Sequence, residues 1–185
     1  MADAAHELLT IEDWLAFDDG TDTRYELMDG VLVAMSPPSD RHGTISYNAA
    51  RAVEDAGGQS PCRPVVGAGI EIPGRSRRRV YVADVAYTCE PPDDEGILES
   101  PRLIVEVLLP STKGIDKMRK VPDYSLLPSV EEIWFIESRA RRVVMWSRVD
   151  DVWIGTLPLT AAQSFRSRVL DAEIRLDDLY RNTEL

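Results

Sequence analysis

Hydrophobic runs rich in β-branched and aromatic residues recur along the chain, and Gly, Pro and Asp residues separate them. Such runs predict strands. The predicted strands cover residues 24–28, 31–35, 65–72, 79–88, 103–109, 131–137, 141–149, 151–159 and 165–170. Apolar residues at helical spacing predict a helix over residues 40–56, and shorter helices are expected after Thr10, over residues 114–127 and at residues 177–179.

The order of these elements places helices before and after a strand-rich middle, which predicts an α/β or α+β fold. We expect a single domain over residues 1–185, with a central mixed β-sheet flanked by helices. Hydrophobic residues make up 44% and charged residues 29% of the chain, as in ordinary soluble domains. No apolar run approaches the length of a membrane span, so no membrane partner is expected.

The net charge of −11 argues against indiscriminate binding to nucleic acid, because phosphates need a positive surface. A local basic groove remains open, and two basic clusters could supply it, although both also fit solvated turns. The clusters are Arg75, Arg77, Arg78 and Arg79, and Arg139, Arg141 and Arg142.

The chain contains two cysteines, Cys62 and Cys89. Their spacing matches neither a metal site nor a redox motif. We therefore expect buried free thiols rather than a disulfide. Because free thiols are typical of reducing compartments, a cytoplasmic location is expected.

Three of the predicted strands each carry one acidic residue among hydrophobic neighbours: Glu26, Asp84 and Glu106. A carboxylate is rarely buried without a partner or a metal. We therefore expect the three side chains to converge on one cation.

If the strands of Asp84 and Glu106 pair, the two carboxylates lie side by side and repel each other unless a cation joins them. Mg²⁺ takes one or two protein carboxylates together with waters and substrate phosphates, and the backbone carbonyl of Val107 is a further candidate ligand. The alternative is that the two acids form ordinary salt bridges or point outward at a strand edge.

Six motifs follow one another between Thr10 and Trp146: RYELMDG, PPSDRH, ADVAY, LIVEVLLPST, DKMRKVPDY and VEEIWFIE. Their succession resembles the Uma-two family, a bacterial group of restriction-endonuclease-like proteins in the PD-(D/E)XK nuclease superfamily. The resemblance implies a restriction-endonuclease-like domain whose core spans about residues 10–150. It also implies hydrolysis of DNA that depends on Mg²⁺ or Mn²⁺.

The resemblance assigns roles to individual residues. Glu26 would line the site, while Asp84 and Glu106 would bind the metal. The superfamily lysine usually follows the second acid by two residues, but Leu108 occupies that position. The resemblance places the lysine at Lys120, where it would act on the hydrolytic water or on the charge that develops at the phosphate.

Lys120 stands in a D-x3-K-x3-Y pattern with Asp116 and Tyr124, which places all three on one helical face. Its replacement by alanine is expected to abolish cleavage and to leave folding nearly intact. Pro122 complicates this helix, because proline disrupts a helix beyond its first turn. We expect either a kink or a helix that begins only at residue 121, and the alternatives to Lys120 are Lys113 and Lys117.

Two hypotheses for the whole chain remain open at this stage. The first is a metal-dependent deoxyribonuclease, and the second is a catalytically inactive module that keeps the nuclease fold for binding or assembly. The acidic charge and Pro122 favour the second. His42, near the start of the second helix, fits either a general base or a capping residue. Apolar C-terminal strands and exposed sheet edges make a homodimer a further expectation.

Overall fold

The structure, a computed structural model, describes residues 8–58, 61–74, 78–92, 94, 96–109, 113–160 and 163–185, with the backbone alone for residues 113–118. Within these ranges the helices are α1 (Ile11–Leu15), α2 (Asp40–Gly57), α3 (Lys113–Tyr124) and α4 (Leu176–Leu179). The strands are β1 (Tyr25–Met28), β2 (Val31–Ala34), β3 (Arg63–Glu71), β4 (Val80–Thr88), β5 (Ile97–Leu98), β6 (Pro101–Leu108), β7 (Glu132–Glu137), β8 (Arg142–Val149), β9 (Val152–Gly155), β10 (Leu159–Thr160), β11 (Ser164–Ser167) and β12 (Ala172–Arg175). None of the described helices is long and apolar enough to cross a bilayer.

A ten-stranded mixed sheet forms the centre of the molecule. Its main path runs β10-β8-β7-β6-β4-β1-β2, with β3 against β4 and β5, and β9 against β8. The pairs β6–β7 and β3–β5 are parallel, and the other pairs are antiparallel. Parallel neighbours need a crossover connection, and α3 provides it between β6 and β7. The predicted fold class, a mixed sheet flanked by helices, is confirmed.

The first hairpin follows from its turn residues. Asp29 and Gly30, between β1 and β2, have φ values of 53° and 85°. These left-handed conformations suit a tight two-residue turn whose twist matches that of the strands. The turn pairs Glu26 of β1 with Val33 of β2.

The two larger hydrophobic cores lie on opposite faces of the sheet. Along β6, Leu103, Val105 and Val107 pack into the core under α2, α4 and the separate β11–β12 hairpin. Ile104 and Leu108 pack into the second core with Tyr124 of α3. Because both faces are covered, β6 is a nearly continuous hydrophobic run. Its one acid therefore has little access to water.

The two cysteines form a disulfide, Cys62–Cys89, so the expectation of free thiols is wrong. The register of β3 and β4 explains the pairing. Arg63 pairs with Thr88 at the end of this antiparallel ladder. Cys62, just before Arg63, and Cys89, just after Thr88, therefore lie opposite each other. Sequence spacing of 27 residues could not reveal this, because the contact depends on strand register. The cytoplasmic expectation, which rested on free thiols, loses that support.

Helix α3 runs through Pro122 and ends at Tyr124, which excludes the alternative of a helix that begins only at residue 121. Pro122 lies in the last turn, where the helix is about to end. Ser125 stabilises this end, since its backbone N–H donates to the Val121 carbonyl and its hydroxyl donates to the Pro122 carbonyl. Lys120 consequently lies inside the helix rather than before it.

Candidate active site

The three acids predicted from the sequence lie around a fork in the sheet. One side of β4 is covered by β3, while the other side pairs first with β1 at Val80 and then with β6 from Val85 onward. Between these two pairings, β1 and β6 diverge. Glu26 lies on β1, Glu106 lies on β6, and Asp84 lies on β4 between them.

Backbone amides inside the fork have no strand partner, and acidic side chains take their hydrogen bonds. The N–H of Val107 donates to Asp84 Oδ2 at 2.6 Å. The N–H of Val82 donates to Glu26 Oε1 at 3.2 Å. A buried amide without an acceptor is costly, so these bonds hold both carboxylates at the fork.

The alternation of side chains between the two faces of the sheet is interrupted in β4 at Asp84. Ala83 packs into the core on the α3 side, whereas Val85 packs into the core on the α2 side, although both have odd positions. The β3–β4 pairing likewise passes from Val66–Val85 to Ala68–Ala83 and skips Gly67 opposite Asp84. Gly67 has a φ of 68°, a conformation that favours glycine. The irregularity directs the Asp84 carboxylate toward the fork rather than into either core.

Lys120 of α3 joins two of the three acids. Its Nζ lies 3.0 Å from both carboxylate oxygens of Glu106 and 3.1 Å from Glu26 Oε1. The Tyr124 hydroxyl donates to Glu106 Oε1 at 2.5 Å. Lys120 is 6% exposed and Glu106 is 5% exposed, so this ion pair is shielded from water. Lys120 and Tyr124 are one helical turn apart, as their i, i+4 spacing predicts.

The electrostatics of Glu106 reflect this crowding of acids. Burial, and then the charges of Asp84 and Glu26, raise its pKa to about 7, against the opposing effects of Lys120 and Tyr124. Like charges in a dry site disfavour ionisation. Tyr124 has a strongly raised pKa for a related reason, because it is buried against the Glu106 carboxylate.

His42, in the first turn of α2, contacts Asp84 from the face of the sheet opposite α3. Its Nε2 lies 3.3 Å from Asp84 Oδ1. Burial alone would lower the pKa of His42, but the hydrogen bond and charge of Asp84, the backbone of Val107 and the charge of Glu106 together raise it. The histidine that sequence reasoning left between two roles therefore lies at the site.

A second layer of residues supports Lys120, and sequence reasoning missed it. The Lys120 ammonium lies 5.1 Å from the ring centroid of Tyr81. The Tyr81 hydroxyl donates to Asp123 Oδ2 at 2.5 Å, and Arg79 donates to Asp123 Oδ1 at 2.8 Å. Asp123 follows Lys120 by three residues. This spacing places both residues on the same face of a helix, and it is the sequence signal from which Asp123 could have been predicted.

The remaining candidates are Asp116, Lys113 and Lys117, whose side chains lie outside the described residues. Val107, expected to offer its carbonyl to a metal, contributes its amide to Asp84 and its backbone to His42. Thus the structure brings Glu26, Glu106 and Lys120 into direct contact and places Asp84 beside them.

The acids at the fork are candidate ligands for a divalent metal. No three His, Cys, Asp or Glu side chains among the described residues form a ready cluster. Asp84, Glu106 and the Val107 carbonyl nevertheless offer oxygen donors of the kind that Mg²⁺ takes when waters complete its coordination. Burial is the main cause of the raised pKa of Glu106, and the charges of Asp84 and Glu26 add a repulsion that a cation would relieve. The donor set therefore fits a hard divalent ion.

The fold matches that of a solved structure. A crystal structure from Anabaena variabilis ATCC 29413, described as a "putative nuclease belonging to DUF820", matches with a TM-score of 0.74 and 13% sequence identity, over 93% of this chain and 97% of that one. The chain belongs to the Uma2 family, described as "Putative restriction endonuclease", whose model matches residues 8–177. The family resemblance seen in the motifs is thereby confirmed.

Two relatives from Synechocystis sp. (strain ATCC 27184 / PCC 6803 / Kazusa) are similar over most of their length. "Uncharacterized protein slr1290" is 25% identical over 184 residues, which cover 94% of this chain and 92% of the relative. "Uncharacterized protein sll1609" is 23% identical over 155 residues, with coverages of 82% and 87%. The similarity therefore extends across the whole domain.

The raised pKa of Glu106 predicts a pH dependence of stability in the metal-free protein. Its usual pKa is 4.5, and its folded-state pKa is about 7. The unfolded chain therefore ionises first, and the free energy of unfolding should fall as pH rises between these values. Glu106→Gln lacks this titration, so its stability relative to the parent should increase from pH 4.5 to pH 7.

Urea unfolding of both proteins across this pH range, with EDTA present, measures the effect. Glu99→Gln, in an exposed position, is the matched control and should follow the parent at every pH. A stability difference between Glu106→Gln and the parent that does not change with pH would contradict the raised pKa.

Proposed function

We propose that this protein hydrolyses phosphodiester bonds in DNA with the help of Mg²⁺ or Mn²⁺. The observation that carries the proposal is the fork in the sheet, where Glu106 and Glu26 contact the buried Lys120 and Asp84 lies beside them. Membership of a family described as "Putative restriction endonuclease" supports a nuclease-like function. The metal requirement and the DNA substrate are the parts that experiments must test.

Each residue of the fork has a role in the proposed mechanism. Asp84, Glu106 and the Val107 carbonyl would hold the ion. A bound divalent ion polarises a phosphoryl oxygen and makes a water molecule more acidic. Lys120, whose ammonium contacts Glu106 and Glu26 in the structure, would donate hydrogen bonds to the reacting water or the phosphate oxygens, where its charge would stabilise the negative charge of the transition state. Glu26 holds Lys120 in place.

Arginine side chains around the fork offer contacts for the phosphate backbone. Arg24 lies over Gly67, since a side chain at that position would collide with its guanidinium group. Arg119 precedes Lys120 on α3 and contacts Met28 of β1. Arg24 and Arg119 are both exposed. This local positive charge supports DNA binding by a chain whose net charge is −11.

The test is cleavage of supercoiled plasmid and of labelled oligonucleotides, with Mg²⁺, Mn²⁺ or EDTA. The parent should cut with metal and not with EDTA. Asp84→Asn should lower the rate by about 100-fold or more, because a ligand to the ion is lost. Asp94→Asn makes the same chemical change at an exposed position and should leave the rate unchanged.

Absence of cutting by the parent, on DNA and RNA and with both metals, would overturn the proposal. The catalytically inactive module with a nuclease fold would then be the better account.

The predicted homodimer remains a separate proposal. It is motivated by exposed apolar residues on β9 and the following turn, namely Val152, Ile154 and Leu157, and sedimentation equilibrium measures it directly.

A further inference from the structure

One titratable side chain at the fork has no part in the mechanism described above. His42 is in the first turn of α2, where the Ser39 hydroxyl accepts a hydrogen bond from its backbone N–H and fixes the start of the helix. This start aims the imidazole at the opening between β4 and β6. The side chains of His42 and Asp84 are 12% and 16% exposed, so the pair is enclosed but still reached by water.

We propose that His42 Nε2 is a ligand of the divalent ion, beside Asp84 and the Val107 carbonyl, and that the site therefore favours Mn²⁺ over Mg²⁺. This inference rests on the proposed function, because it concerns the same metal site. It adds a nitrogen donor to a set that otherwise contains oxygen alone. An imidazole ligand raises affinity for transition metals more than for Mg²⁺, which prefers oxygen.

The spacing of the donor atoms supports this assignment. Two neighbouring ligands of an octahedral ion, each bonded at ~2.1 Å, lie about 3 Å apart. His42 Nε2 and Asp84 Oδ1 are 3.3 Å apart, so a small adjustment would place both on one ion. The separation of the pair is therefore close to the one that shared coordination requires.

Three of the four proposed ligands also contact one another. His42 contacts the Asp84 carboxylate and also hydrogen-bonds the backbone of Val107. Asp84 in turn accepts from the Val107 amide at 2.6 Å. Ligands held by neighbouring groups keep their orientation, which raises metal affinity. His42, Asp84 and Val107 therefore form a supported set that draws on one helix and two strands.

The alternative role for His42 is an ion pair with Asp84 that never touches the metal. The two roles differ in whether an imidazole nitrogen is coordinated directly to a bound Mn²⁺ ion. The chain has two histidines, His6 and His42, so an imidazole signal has few possible sources. Electron spin-echo spectroscopy of bound Mn²⁺ detects a directly coordinated imidazole nitrogen, and it requires no catalytic turnover.

The experiment compares the parent, His6→Gln and His42→Gln. Glutamine is suited to the position of His42, the third residue of α2, where it can support the N-terminal cap. We expect nitrogen coupling in the parent and in His6→Gln, and its loss in His42→Gln. Titration calorimetry should show that His42→Gln weakens Mn²⁺ binding by about 10–100-fold and Mg²⁺ binding by less. Urea unfolding with EDTA verifies that each variant folds.

The possible failures are distinguishable. If Mn²⁺ binds and Asp84→Asn weakens that binding, but the parent shows no nitrogen coupling, His42 is not a ligand and only this inference fails. If His42→Gln keeps the coupling, the nitrogen comes from elsewhere and the inference also fails. If neither metal binds the parent, this inference fails together with the proposed metal-dependent function.

Discussion

Replacing Lys120 by alanine should abolish cleavage and also destabilise the metal-free protein, by about 3–5 kcal/mol in the free energy of unfolding. Cleavage is lost because Lys120 acts on the water or on the transition state. Stability is lost because the buried carboxylate of Glu106, and that of Glu26 beside it, would lose the cation between them. The sequence suggested that folding would stay nearly intact, but the burial of Lys120 changes this expectation.

A compensated variant separates the two effects. Lys120→Met combined with Glu26→Gln and Glu106→Gln removes the charges together, and it should recover most of the lost stability without recovering cleavage. Urea unfolding and plasmid cleavage are the two measurements. Lys117→Ala is the control for the position of the lysine, and it should cut like the parent. If Lys117→Ala is inactive and Lys120→Ala is active, the assignment of the lysine is wrong.

Replacing Glu132 by alanine should be about as destabilising, although Glu132 is remote from the fork. This carboxylate is fully buried and accepts hydrogen bonds from Trp134 Nε1, the Ser167 hydroxyl and the Arg168 backbone N–H. The hydrogen bonds from Ser167 and Arg168 to Glu132 connect the β11–β12 hairpin to β7. Removing the carboxylate leaves three donors unsatisfied, and each unsatisfied buried group costs ~1–3 kcal/mol. The total loss should reach at least 3 kcal/mol.

The neighbouring acid provides the matched control for Glu132. Glu131 is a surface residue that pairs with Arg102, and its side chain is 45% exposed. Glu131→Ala should change stability by about 0–1 kcal/mol. The midpoint of urea unfolding for both variants, compared with the parent, is the measurement. Equal effects of the two substitutions would refute the structural role of Glu132.

Local patterns in the sequence predicted much of the secondary structure. The strands around Glu26, Asp84 and Glu106 were recognisable because β-branched runs and turn residues act over a few neighbouring positions. Where long-range packing decides, the predictions were less accurate. The predicted strand over residues 151–159 is divided into β9 and β10, and neither β5 nor β12 was predicted. Both differences concern short strands at the periphery of the fold, where local patterns are weak.

The sequence by itself determined the mixed α/β class, the family, and the presence of an acid on each of three strands. Only the tertiary structure decided which groups meet those acids. The Cys62–Cys89 disulfide, the burial of Lys120 between two carboxylates, and the approach of His42 to Asp84 all join residues that are distant in the chain. Such contacts depend on strand register and on the divergence of β1 and β6 along β4. Hydrophobic periodicity involves only neighbouring residues in the chain. It therefore predicts on which face of a strand or helix a side chain lies, but not which distant residue contacts it.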